Sequence, residues 1–237
     1  MTISCDFALR RCTRQVVLST SAGLLWIMAG TAVADVDVHR ANDYYAAMGS
    51  PAVATVESYH LGPCEKRLAE RDYPRTLGEC GFILKIFPNH PTALLLTVDA
   101  CAQWKSPKCM LDDMFDSAIA INPKAAQTFV VQGIYRTRSK QYETAIQSFT
   151  YALQLQPNLM NAHYNLALTY LETKQFDLAN EHAQKAYSLG ATLPGLRERL
   201  MKAGYWKPLP QQSDPASPQA NAPSTGAAVP GATETKQ

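Results

Sequence analysis

The stretch AQTFVVQGIYRTRSKQYETAIQSFTYALQLQPNL, residues 126–159, is followed without a gap by MNAHYNLALTYLETKQFDLANEHAQKAYSLGATL, residues 160–193. Each is 34 residues long, and residues 92–125 make a first row before them at the same period. Self-similarity at this spacing reads as stacked helical hairpins, because each hairpin leaves an apolar face that only a neighbour can cover. The second row carries Phe129, Gly133, Tyr142, Ala145, Phe149, Ala152, Leu153 and Pro157. The third has Leu166, Ala167, Tyr170, Phe176, Ala179, Ala183 and Ala186 in equivalent or adjoining places. Small residues recur where two backbones must approach, and the aromatic side chains fill the space that remains between helices.

Three motifs, Tyr-Asn-Leu-Ala-Leu-Thr-Tyr at 164–170, Gln175-Phe176-Asp177-Leu178-Ala179 and the Pro157-Asn158 punctuation, resemble the tetratricopeptide repeat. The resemblance covers 57–206 and is strongest over 126–189. It implies an all-α fold, a right-handed α-solenoid of stacked helix-turn-helix hairpins with a C-terminal closing helix. Row 92–125 keeps the second-helix pattern in Leu111, Phe115, Ala118, Ile119 and Asn122-Pro123, but its turn, Trp104-Lys105-Ser106-Pro107-Lys108, departs from the family. A degenerate unit, 57–91, precedes it. There Arg71-Asp72-Tyr73 and Ile86-Phe87-Pro88-Asn89 stand 35 residues before their counterparts, and a first helix is expected to open near Pro63. The repeat domain is thus expected over 63–206. Capping helices, Val36–Met48 and Ala52–Tyr59, fall within 35–62, and the closing helix falls within 194–206, ending at Gly204 in a left-handed exit.

Working outward to the ends, Arg10, Arg11 and Arg14 precede an apolar run from Val16 through Met28, then Ala32-Val33-Ala34. A charged start, a short apolar stretch and small residues before a cut form the pattern of a secretory signal peptide over 1–34, cleaved after Ala34. Such a chain is periplasmic or secreted, with no stable membrane insertion after cleavage. Removal takes Lys+Arg from 22 to 19 and Asp+Glu from 20 to 19, so the mature chain is near neutral. With no basic surplus to neutralise phosphates, nucleic acid is not expected as a partner. Residues 207–237 form a Pro/Ala/Ser-rich tail with prolines at 208, 210, 215, 218, 223 and 230, too poor in large apolar side chains to repay the entropy of ordering.

Cys5 and Cys12 leave with the leader, so four cysteines remain in a disulfide-permitting compartment: Cys64, Cys80, Cys101 and Cys109. Three pairings are possible. The repeat register implied by the resemblance puts Cys64 and Cys80 on facing helices of one hairpin and Cys101 and Cys109 on facing helices of the next. It favours 64 with 80 and 101 with 109, bridges that would reinforce the two hairpins of poorest consensus. The alternative is four buried small hydrophobes. No Cys-x-x-Cys knuckle suggests zinc.

Nothing in the sequence points to catalysis. The histidines at 39, 60, 90, 163 and 182 form no i, i+4 pair, and there is no nucleophile elbow or phosphate-cradling glycine loop. We expect no enzyme activity, no metal, no cofactor and no small-molecule substrate. Binding is expected instead on the concave side, where the first helices of successive repeats lie. Leu96, Trp104, Val130, Ile134, Arg138, Tyr164, Asn165 and Leu168 are the contact candidates there, an apolar groove with a polar edge suited to an apolar peptide or helix. The partner is another protein or peptide, and the chain is read as a scaffold of the periplasm or cell envelope. The alternatives are a self-associating structural protein, in which this face packs against a second copy, and an accessory subunit of an envelope enzyme or secretion complex; the N-terminal helices or the closing helix could also cover the face.

Overall fold

In the computed structural model, residues 36–106 and 108–207 are described. The expected leader with its cleavage after Ala34, Pro107 in the departing turn, and the tail beyond Lys207 lie outside the described residues. Among the described residues all regular structure is helical: α1 (Tyr44–Ala47), α2 (Pro51–Ala69), α3 (Tyr73–Ile86), α4 (Pro91–Trp104), α5 (Leu111–Ile121), α6 (Ala126–Arg138), α7 (Tyr142–Leu155), α8 (Met160–Glu172), α9 (Phe176–Ser188) and α10 (Gly195–Lys202).

Three hairpins, α2–α3, α6–α7 and α8–α9, pack closely and turn in the same way. Arg71, Lys140 and Lys174 each adopt left-handed backbone, with φ of 60°, 60° and 59°. In each turn the left-handed residue's N–H and the next residue's N–H return to carbonyls of the last helical turn, as Lys140 N does to Thr137 O at 3.0 Å and Gln141 N to Arg136 O at 2.8 Å. That pair of hydrogen bonds satisfies carbonyls which the end of a helix would otherwise leave unpaired.

The hairpins touch where small residues permit. A Cβ added to Gly133 would lie 2.6 Å from Cε1 of Phe149, a ring that is fully buried, while Ala167 on α8 meets Ala179 and Ala183 of α9 in one cluster. In α4 the buried residues Ala93, Leu94, Thr97, Val98 and Ala100 stand 69 residues before Ala162, His163, Leu166, Ala167 and Thr169 of α8. Two gap-free periods would give 68, so the row 92–125 holds for α5, but α4 runs one residue early. Val98 therefore occupies the place of Gly133 and Ala167. A valine cannot give the close approach that glycine or alanine gives, and α5 stands off α4. It leans on α6 instead, with the Phe115 ring stacked on Tyr135 at 5.7 Å and Asp112 paired with Arg136 at 2.7 Å.

The N-terminal boundary differs from the expected one. α2 begins at Pro51, where the Ser50 hydroxyl accepts from Val53 N at 3.2 Å, and runs unbroken through Pro63. Pro63 removes one backbone hydrogen bond without ending the helix, which buries Val56 before it and Cys64 after it. Of the helix expected over Val36–Met48, only α1 forms. The rest spends its polar groups on the end of α3: Asn42 N donates to Ile86 O at 2.7 Å, and the Asp43 carboxylate accepts from Asn89 at 2.6 Å and from Asn122 at 2.9 Å. One side chain thus ties together the loops that close two successive hairpins.

Two disulfides cross-link this half. Cys64 on α2 is bonded to Cys80 on α3, and Cys101 on α4 to Cys109, with Cα separations of 5.6 and 5.7 Å. Cys109 sits in the loop before α5, not on the second helix where the repeat register puts it, because α5 starts only at Leu111. At the far end, α10 seals the last hairpin with Leu196 and Leu200, both fully buried, and Gly204 turns the chain out at φ 77°.

Candidate partner-binding face

The first helices α4, α6 and α8 lie side by side, linked by polar pairs. Arg138 forms an ion pair with Asp99, Asn161 Nδ2 donates to Gln127 Oε1 at 2.9 Å, and the hydroxyls of Thr137 and Thr169 are 2.9 Å apart. Arg199 of α10 extends the series to Glu172 at 2.7 Å. These pairs set the spacing of the helices on the face a ligand would meet.

The expected contact residues do not form one continuous groove. Val130 is only 1% exposed and belongs to the core cluster that α6 shares with α7 and α8. Tyr164 and Leu168 pack against the cluster containing Leu196 and Leu200, so α10 covers the third-repeat end of the face. Burial raises the Tyr164 phenol above its ordinary pKa. The Asn165 amide donates to Asn161 O of its own helix at 2.8 Å. Arg138 is engaged by Asp99. What remains half-buried and open to solvent is Leu96 on α4, Trp104 at its end and Ile134 on α6.

Two histidine arrangements were not legible as such in the sequence. His90 is 1% exposed and caps α4: its Nδ1 accepts from Ala93 N at 3.1 Å, which leaves Nε2 to donate to Glu57 Oε1 at 3.0 Å. Tyr44 shares that carboxylate, donating at 3.1 Å, and burial followed by Glu57 pushes its pKa up to about 12. Between α8 and α9, His163 and His182 face each other, Nδ1 to Nδ1, at 2.9 Å. His163 Nε2 donates to Pro157 O at 3.0 Å, so its Nδ1 is the acceptor and the shared proton sits on His182. Burial lowers the pKa of all three imidazoles, and for His182 the neighbouring His163 lowers it further. A signal was available: His163 stands at the place of Phe129, a core aromatic position in the repeat. Among the described residues no three His, Cys, Asp or Glu side chains gather in a way that could hold a metal ion.

A family profile described as a TPR repeat matches residues 136–174, from the end of α6 to the turn before α9. The peroxisomal targeting signal receptor of Candida glabrata is 34% identical over 77 residues, a match that covers 32% of this chain and 13% of the receptor. The chain therefore spans about an eighth of that relative's length. Among solved structures, one reported in a functional characterisation of Pseudomonas aeruginosa pilF superposes with a TM-score of 0.53 at 20% identity, covering 65% of this chain and 70% of the other. At that identity the likeness concerns the fold.

Proposed function

Because this chain is a tetratricopeptide-repeat protein, we propose that it acts as a non-catalytic protein–protein interaction scaffold in the periplasm or cell envelope, holding an apolar peptide or helix against α4 and α6. Repeats of this family generally serve as scaffolds that bind other proteins. The observation that carries the finer reading is the trio Leu96, Trp104 and Ile134, half-buried on the adjacent helices α4 and α6, which the Asp99–Arg138 ion pair joins. An apolar strip bounded by charge can bury a ligand's side chains while orienting its ends. Two disulfides are consistent with a location outside the cytoplasm.

The test is a photo-crosslinking residue placed at Ile134 in cells, with one at the exposed Gln154 on α7 as control. A discrete adduct from position 134 that disappears when Trp104 is changed to Ala is the expected result. Equal adducts from both positions, or none from 134, would sink the reading. Cysteines found fully reduced in protein freshly quenched from cells would remove the envelope assignment while leaving the scaffold intact.

A further inference from the structure

The first hairpin carries an apolar surface that the stack does not use. Tyr59 on α2 is 71% exposed, Phe82 on α3 45% and Val38 48%, and with Val56 and Ile86 they line a cleft of about 420 Å³. The cleft's aromatic wall is held in place: the His60 ring stacks on Phe82 at 4.1 Å, and His60 Nδ1 is 2.8 Å from Glu79 Oε2. Lys85 stands at its edge. Fixed aromatic faces suit proline rings. A proline-rich ligand also arrives already extended and loses little chain entropy on binding.

The chain itself contains such a ligand. Beyond Lys207 the sequence places Pro215-Ala216-Ser217-Pro218 directly after Asp214. In a polyproline helix of three residues per turn, Pro215 and Pro218 fall on one edge, and Asp214 supplies the charge that Lys85 lacks a partner for within the cleft. The tail's point of departure is fixed by the structure. Asn180 Nδ2 donates to Lys207 O at 2.9 Å, Lys207 N donates back to Asn180 Oδ1 at 3.1 Å, and Tyr205 stacks on Phe176 at 4.4 Å. The tail therefore leaves from α9, in the last hairpin, while the cleft lies on the first and two further hairpins stand between. Pro215 is eight residues on from Lys207, at most about 28 Å of extended chain, which favours a neighbouring copy over the chain's own cleft. We infer that the Asp214–Pro218 segment of one copy docks in the Tyr59–Phe82 cleft of the next, a head-to-tail contact that can join more than two copies.

The experiment uses the full mature chain with a benzophenone side chain at position 217, mixed as ¹⁴N and ¹⁵N copies, irradiated and digested. Crosslinks from 217 to peptides containing Tyr59 or Phe82, joining light with heavy copies, are expected. The Tyr59→Ala/Phe82→Ala pair, and separately the Pro215→Ala/Pro218→Ala pair, should each cut their yield by about tenfold, the loss of an anchor residue at an interface. Tyr59 and Phe82 are exposed, and circular dichroism checks that the first pair still folds. Crosslinks confined to single copies, crosslinks to the Leu96 or Ile134 peptides, yields untouched by both pairs, or no crosslink at all would each overturn the inference. Crosslinks to the Leu96 or Ile134 peptides would also put the tail in the groove of the scaffold reading; the other outcomes leave the adduct from Ile134, which tests that reading, untouched.

Discussion

The two halves of the stack reach similar hairpins by different means. From α6 to α9 the helices start without side-chain caps, and cohesion comes from size matching between facing positions, Gly133 under Phe149 and Ala167 beside Ala183. From α1 to α4 every helix start is capped by a side chain, Asp43, Ser50, Asp72 or His90, and disulfides tie α2 to α3 and α4 to the loop before α5. Where repeat packing is good, local devices are unnecessary. Where Val98 prevents close approach, α4 and α5 depend on a covalent bond and on α5's lean toward α6.

The largest effect should come from removing that covalent support. Reducing both disulfides in the folded chain is expected to cost about 2–4 kcal/mol for each bridge. The loss should be uneven: hydrogen exchange should accelerate through α2–α5 while amides of α6–α9 keep their protection. Uniform acceleration would mean that the stack unfolds as one unit and that its halves are not held together by different means.

Next comes the other half's own device. Gly133→Ala gains helix propensity but drives a methyl to 2.6 Å from the Phe149 ring, which is buried and has nowhere to retreat. The net expectation is a loss of about 1–2 kcal/mol by denaturant titration. Ala167 already carries the methyl because its partner Ala183 is small, so Ala167→Gly should cost only the propensity, about 1 kcal/mol or less plus a slight void. If the two substitutions cost the same, size matching does not explain the packing.

A third effect separates the halves by pH. The folded state holds His90, His163 and His182 below their ordinary pKa of 6.5, chiefly by burial. Above that value neither state takes up a proton at these sites. As pH falls through 6.5 the unfolded chain is protonated first, so stability drops progressively. At His90 the cause is visible in the cap: a proton on Nδ1 replaces the acceptor of Ala93 N–H. His90→Asn keeps a capping oxygen and removes the titration, so the slope of stability against pH between 7 and 5 should flatten in part. An unchanged slope would assign the pH response to the His163–His182 pair alone.

The sequence made the period, the touching small residues and the all-helical class legible because they depend on residue size and spacing alone. Three other features were hidden. Val36–Asp43 reads as helical by composition, yet Asn42 N donates to Ile86 O and the Asp43 carboxylate accepts from Asn89, partners more than forty residues away. The one-residue shift of α4 is masked because Leu94-Leu95-Leu96 offers an apolar side chain in either register. The expected groove includes Tyr164 and Leu168 because repeat position alone does not say what α10 covers, and Val130 because the period does not show that this side chain belongs to the core shared by α6, α7 and α8.

The smallest expected effect tests a feature common to both halves. Arg71, Lys140 and Lys174 end their helices in left-handed backbone, which a side chain disfavours and glycine adopts freely. Lys140 is exposed, and its side chain makes no hydrogen bond or ion pair among the described residues, so Lys140→Gly should stabilise the fold by about 0.5–1 kcal/mol, read as a raised denaturant midpoint. The gain is reduced by the extra freedom glycine gives the unfolded chain. Lys105, also left-handed at φ 52°, lies in a turn already closed by Cys101–Cys109. A bridge that restricts the unfolded loop also limits the entropy glycine would add there, so Lys105→Gly should stabilise at least as much as Lys140→Gly while the disulfide is intact, and less once it is reduced.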